Sequence, residues 1–176
     1  SVLHQSLALQ IIGPLVIWLF RDASSAALDP RRVFLCPTTS TPADPSRWQY
    51  AASEQEILEP EAFIRILSEQ MQDWYGVFRQ HFGVSPGAYW SSVGLALGAP
   101  YSVVWNRVNP AELCKQAGSW LAQFKCEANR YIDWIPAEFS QQWCAIPQRK
   151  GCCLKYLLPG GGYCGTCGIY RKERIS

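Results

Sequence analysis

The stretch "PEAFIRILSEQMQDWYGVFRQHFG", Pro60 to Gly83, decides the fold class. Its apolar positions Phe63, Ile64, Ile66, Leu67, Met71, Trp74, Tyr75 and Phe78 recur at spacings of three and four residues. That is the period of one face of a helix, so a helix is expected from Pro60 to about Gln80, with Gly83 placed to close its C-terminus. The same reasoning extends along the chain. Ser85-Pro86 offers an N-cap with proline at the first helical position, opening a helix towards Leu97 that Gly98 and Pro100 would end. Asn109-Pro110-Ala111-Glu112 repeats the device, with Glu112 spaced to return a hydrogen bond to its cap, and that helix is expected to reach about Arg130. Upstream, "LALQIIGPLVIWLF" (Leu7 to Phe20) reads as a buried helix. "RRVFLCP" (Arg31 to Pro37) reads as a strand, and Thr38 to Arg47 as a loop. Beyond Pro136 regularity falls away, although "QQWCAIPQRKGCCLKYLLP" has room for one or two short strands turning near Gly151. The expected fold is α+β and mainly helical, with a few short strands and an irregular C-terminal lobe. Residues 1–140 would form the helical domain, and 141–176 a segment packed on it.

Composition narrows the function classes. A chain of 176 residues, 48% hydrophobic with 8 Trp, can bury its own core without covalent staples. A formal net charge of +2 is too small for a nucleic-acid partner. Leu7 to Phe20 is broken by Gln10 and Gly13-Pro14 and is shorter than the ~20 apolar residues a bilayer span requires. No basic region precedes it, so it fits a signal peptide poorly and a cytosolic setting is expected. There thiols stay reduced, and clustered cysteines hold metal more often than they pair.

The C-terminal stretch "KGCCLKYLLPGGGYCGTCGIYRK" (Lys150 to Lys172) carries four of the eight cysteines: Cys152, Cys153, Cys164 and Cys167. A dithiol redox pair at Cys164 and Cys167 would need a helix N-terminus in a βαβ setting, which the pattern lacks. Zinc takes four thiolates, usually from C-x2-C pairs, and the adjacent Cys152-Cys153 departs from that habit. Neighbouring cysteines reach a [2Fe-2S] rhomb more comfortably, because four thiolates are then shared between two irons. On chemistry alone an iron–sulfur cluster leads, with zinc behind it and disulfides last. Arg149, Lys150, Lys155, Arg171, Lys172 and Arg174 surround these cysteines against a single Glu173, so a negative centre would be partly offset, or the tail is simply solvated.

The spacing C-C-x10-C-x2-C near the C-terminus, followed by a basic tail, resembles the ferric-siderophore reductase family, the FhuF-like proteins. "CCLKYLLPGGGYCGTC" carries the family's basic and aromatic residues and its Leu-Pro, as Lys155, Tyr156, Leu158 and Pro159. "YWSSVGLALG" (Tyr89 to Gly98) is similar to the family's aromatic segment, with Ser92 where an Asn is expected. The resemblance implies that Cys152, Cys153, Cys164 and Cys167 ligate one [2Fe-2S] cluster. It implies a cytoplasmic oxidoreductase that passes an electron to a ferric siderophore and receives one from a donor such as a ferredoxin or small reductant. Peripheral association with the inner membrane is left open. A zinc-binding structural module, or an electron relay without its own substrate, are the alternatives.

The other constellations are weaker. Gly160 to Gly165 spells G-x-G-x-x-G, but no helix pattern follows. Only His4 and His81 are present, which argues against a Ser-His-Asp hydrolase. Cys36, Cys114, Cys126 and Cys144 lie in apolar surroundings and are expected to pack as small core residues, with Cys144 a remote candidate for a reserve ligand. Tyr156, Tyr163 and Tyr170 are expected to pack rather than to face a chelate.

Overall fold

A computed structural model describes residues 2–26, 29, 31, 33–37, 46–50, 56–139 and 141–169; for 33–37 and 46–50 the description is of the backbone. The chain is α+β and mainly helical, as expected. Helices α1 (Val2–Asp22), α2 (Pro60–Phe82), α3 (Pro86–Leu97), α4 (Ala99–Val103), α5 (Pro110–Leu121) and α6 (Ala128–Tyr131) surround a shared apolar core. Three two-stranded antiparallel pairs complete the described fold: β1 (Ser25–Ala26) with β4 (Ile57–Leu58), β2 (Val33–Pro37) with β3 (Ser46–Tyr50), and β5 (Ile132–Phe139) with β6 (Gln142–Arg149).

The centre is α3, whose residues Ala88 to Leu97 are all buried. A helix without a polar face must be enclosed on every side. Here α1 covers one flank, α2 another and β5 a third. Two glycines let the hairpin come close. A Cβ at Gly94 would stand 2.7 Å from Ile132 Cγ2, and one at Gly98 would stand 2.8 Å from Trp134 Cζ2, so both positions exclude larger residues. Tyr89 donates its hydroxyl to the Met71 carbonyl at 2.7 Å, and Trp120 its indole N–H to the Leu97 carbonyl at 2.8 Å. These bonds tie α2 and α5 to α3 while satisfying polar groups that burial would otherwise leave unpaired.

The cap signals at Gly83, Ser85 and Asn109 act as expected. Gly83 closes α2 in the left-handed region at φ 61°. Ser85 accepts the Ala88 N–H, and Asn109 accepts those of Ala111 and Glu112. Glu112 does not complete a capping box; its carboxylate accepts the Gln116 side chain instead.

Four expectations are corrected. Helix α5 stops at Leu121 rather than near Arg130, because tight turns over 122–127 swing Phe124 into the core, where it is buried. The hairpin turns between Phe139 and Gln142, not near Gly151, and Pro136 sits inside β5 opposite Ala145. Ser46 and Arg47 belong to β3, while residues 38–45 of the expected loop lie outside the described residues. Helix α1 begins at Val2 and runs through Pro14 for 21 residues, long and apolar enough to cross a membrane by length and composition. One face of it, Ala8, Ile12, Leu15, Val16 and Leu19, is buried in the core.

Candidate metal centre

Beyond β6 the described chain makes a 3-10 turn at Lys155–Leu157. Close backbone packing fixes where it goes. A Cβ at Gly151 would lie 2.0 Å from the Gly87 carbonyl oxygen, so the N-terminal end of α3 rests directly on the chain beside Cys152. A Cβ at Gly168 would lie 2.1 Å from the Arg149 carbonyl oxygen, which pins the other end of the segment to β6. Arg149 N–H donates to the Thr166 carbonyl at 3.0 Å. Between these anchors the loop doubles back at Gly161, whose N–H reaches the Leu158 carbonyl at 2.8 Å. Tyr156 and Tyr163 stack on each other across it with ring centroids 5.1 Å apart. Tyr156 and Tyr163 thus pack on each other, with Tyr163 still 42% exposed, while Tyr170 and the basic residues from Arg171 onward lie outside the described residues.

Cys153 Sγ and Cys164 Sγ stand 3.5 Å apart, and neither belongs to a disulfide. The separation is near the edge, about 3.8 Å, of a tetrahedron with metal–sulfur bonds of about 2.3 Å. Cys167 closes a turn by donating its N–H to the Cys164 carbonyl at 2.9 Å. Cys153 and Cys167 are buried, whereas Cys152 and Cys164 are partly exposed. The Cys152 sulfur accepts the Leu154 N–H at 3.3 Å. Among the described residues, no three His, Cys, Asp or Glu side chains converge tightly enough to hold a single ion. The donor set nevertheless fits a group shared between two metals, which asks for four thiolates in two couples rather than four about one point.

Leu154, at φ 59°, is one of three non-glycine residues in the left-handed region among the described residues. Such a conformation costs on the order of 1 kcal/mol. Its effect is to turn successive backbone N–H groups towards sulfur, Leu154 to Cys152 and Lys155 to Cys153. Burial pushes the Cys153 thiol up, but the Lys155 N–H, Cys164 and Arg149 together bring it below its ordinary value. The Cys164 thiol is raised, first by burial and then by Cys153, with Arg149 opposing.

The sequence reading counted Arg149 as one of six basic residues around the cysteines. It is 1% exposed. Its guanidinium reaches Gln5 on α1 and Ser91 and Ser92 on α3, residues that the sequence reading did not assign to the site. The legible signal was a pair of adjacent serines within an otherwise apolar helix. Cys144 is buried in β6 with its thiol directed to the Ala137 carbonyl at 3.3 Å, and Cys114 and Cys126 pack against the core, as expected. The side chain of Cys36 lies outside the description.

Residues 149–167 match the family model described as the FhuF 2Fe-2S C-terminal domain. The match begins at Arg149, ends at Cys167 and takes in all four cysteines. No curated protein and no solved structure matched the chain. The C-terminal segment is thus similar to a 2Fe-2S domain, which supports an iron–sulfur redox protein.

Proposed function

We propose that this chain is a ferric-chelate reductase: with a [2Fe-2S] cluster on Cys152, Cys153, Cys164 and Cys167, it passes one electron to a ferric siderophore and frees the iron as Fe(II). The observation that carries the reading is the cysteine constellation itself, a close Cys153–Cys164 pair with both neighbours on the same short loop, inside the matched segment. Such a cluster, when bound, supplies single electrons at a potential set by nearby charge and by hydrogen bonds to sulfur.

The chain's own residues would do the rest. Leu154 and Lys155 direct N–H groups at sulfur and favour thiolate. Burial of Cys153 and Cys167 keeps water from one side, while the partly exposed Cys152 and Cys164 leave the other within reach of a substrate. An apolar cleft of about 260 Å³, lined by Trp105, Phe139, Pro147, Gly165 and Thr166, abuts the Cys164–Cys167 turn. The substrate's Fe(III), held by hard oxygen donors, takes one electron, and the resulting Fe(II) is held less tightly and leaves. No side chain need transfer a proton in that step. The balancing electron comes from an external donor such as a ferredoxin or small reductant, and the proposed setting is the cytoplasm, where imported chelates arrive.

The test is anaerobic purification followed by iron and sulfide analysis, visible spectra and EPR of the dithionite-reduced protein, then mixing with a panel of ferric chelates. Two irons and two sulfides per chain, with reoxidation matched by captured Fe(II), are expected. A colourless protein with stoichiometric zinc overturns the reading. A coloured protein that ferric chelates do not reoxidise is a relay, not a reductase.

A further inference from the structure

Arg149 ends β6 three residues before the first cysteine, and its side chain turns inward. Nε donates to Ser91 Oγ at 2.9 Å and one terminal nitrogen donates to Gln5 Oε1 at 2.7 Å. The other donates to Ser92 Oγ at 3.0 Å and to the Ala88 carbonyl at 3.4 Å. Every one of these acceptors is neutral. Among the described residues no carboxylate lies within ion-pair distance of Arg149, although Lys150 next to it has Asp133 at 2.9 Å. A buried cation with no opposing charge is costly, several kcal/mol even after relaxation, and folds keep one only where something negative offsets it. The same residue is bound to the candidate centre through its backbone, by its N–H to Thr166 and by the contact of its carbonyl with Gly168, and its guanidinium also hydrogen-bonds the Cys153 side chain.

We propose that Arg149 is the fixed counter-charge of the cysteine centre: its buried guanidinium, clamped by Ser91, Ser92 and Gln5, offsets the negative charge of the four-thiolate cluster and sets its reduction potential. This rests on the cluster reading above. A [2Fe-2S] group with four thiolates is net negative when oxidised and one charge more negative when reduced, so a nearby fixed cation favours the reduced state. Burial shields it from salt, unlike the exposed Lys155. Ser91 and Ser92 are suited to the clamp because each also donates its own hydroxyl back along α3, to Gly87 and Ala88 respectively, which leaves an oxygen lone pair for Arg149. Arg149 is thus a positioning residue that acts through the cluster and does not touch substrate.

The experiment is a redox titration, followed by visible and EPR spectra, of iron-loaded wild type, Arg149→Lys, Arg149→Gln and the Ser91→Ala/Ser92→Ala pair, each at low and high salt. Arg149→Gln should lower the potential, with the equilibrium constant for reduction falling at least tenfold, which is 59 mV for one electron. Arg149→Lys should restore most of that shift, and high salt should leave the difference in place. The serine pair keeps the charge but releases its clamp, so an intermediate shift with an altered EPR signal is expected. If Arg149→Gln loads iron and sulfide fully and keeps the wild-type potential, the inference is overturned. Should Arg149→Gln fail to assemble, the serine pair decides, and an unchanged potential and EPR signal there overturn it. A wild-type chain that binds no iron and sulfide overturns the cluster reading first, and this inference with it.

Discussion

Arg149 N–H donates to the Thr166 carbonyl at 3.0 Å, so the last residue of β6 pairs with a residue inside the Cys164–Cys167 turn. The hairpin therefore continues, in effect, into the cysteine loop. Gly168 lies flat against the Arg149 carbonyl and Gly151 against that of Gly87, and neither contact has room for a side chain.

Two substitutions test that docking. Gly151→Ala and Gly168→Ala each place a methyl about 2 Å from a backbone carbonyl oxygen, which cannot move aside as a flexible side chain would. Each should cost roughly 1–3 kcal/mol, the usual range for overpacking. The loss falls on the cysteine loop, so iron content should drop several-fold while far-UV circular dichroism of the helices changes little. Gly162→Ala, with open space around its Cβ, is the control and should load iron normally. Equal iron loading in all three proteins would refute the docking argument.

The cysteines divide into two groups by environment. Ser replacements of Cys152, Cys153, Cys164 and Cys167, one at a time, should each abolish or strongly bleach the visible absorption. Ala replacements of Cys114 and Cys126 should leave it unchanged, since both side chains pack on the core away from the loop. Cys144→Ala should likewise keep the absorption while lowering the melting temperature, through loss of a buried side chain and its bond to Ala137. Iron and sulfide assays on the purified variants decide this.

How far the sequence could be read follows from which forces are local. The helices α2 and α3 were legible because apolar spacing, proline and cap residues act within a few positions. The end of α5 was not, because it is fixed by Phe124 reaching a core built from distant elements. The strand opposite β6 was missed for a similar reason: Pro136 reads as a breaker, yet among the described residues the hairpin pairs just two strands and its missing N–H costs no further ladder bond. The four cysteines stood out by spacing. The burial of Arg149 did not, since nothing local distinguishes an arginine that turns into the core from one that stays in solvent among other basic residues.

Lys155 offers a contrast with that buried arginine. It is exposed, so its charge acts on the centre through water. Lys155→Glu should lower the potential at low ionic strength, and the difference should shrink towards zero by 1 M salt, where the screening length is about 3 Å. A shift that persists unchanged at high salt would mean that Lys155 contacts the centre directly.

His4 supplies the pH dependence. It is buried, stacked on Tyr89 at 4.3 Å and edge-on to Phe78 at 4.7 Å, and its pKa is lowered to about 4, by burial first and by nearby positive charge, Arg149 included, second. The folded chain therefore holds this imidazole neutral where the unfolded chain, with a value near 6.5, begins to protonate it. Below about pH 6.5 the unfolded state binds more protons, so stability falls with pH until about pH 4, where folded His4 also protonates. The cumulative loss is on the order of 3 kcal/mol. His4→Phe keeps the ring stacking without a titrating group, so its urea-unfolding free energy should fall less steeply between pH 6.5 and 4 than that of the wild type. Parallel pH profiles for the two proteins would show that His4 is solvated and takes no part in the core.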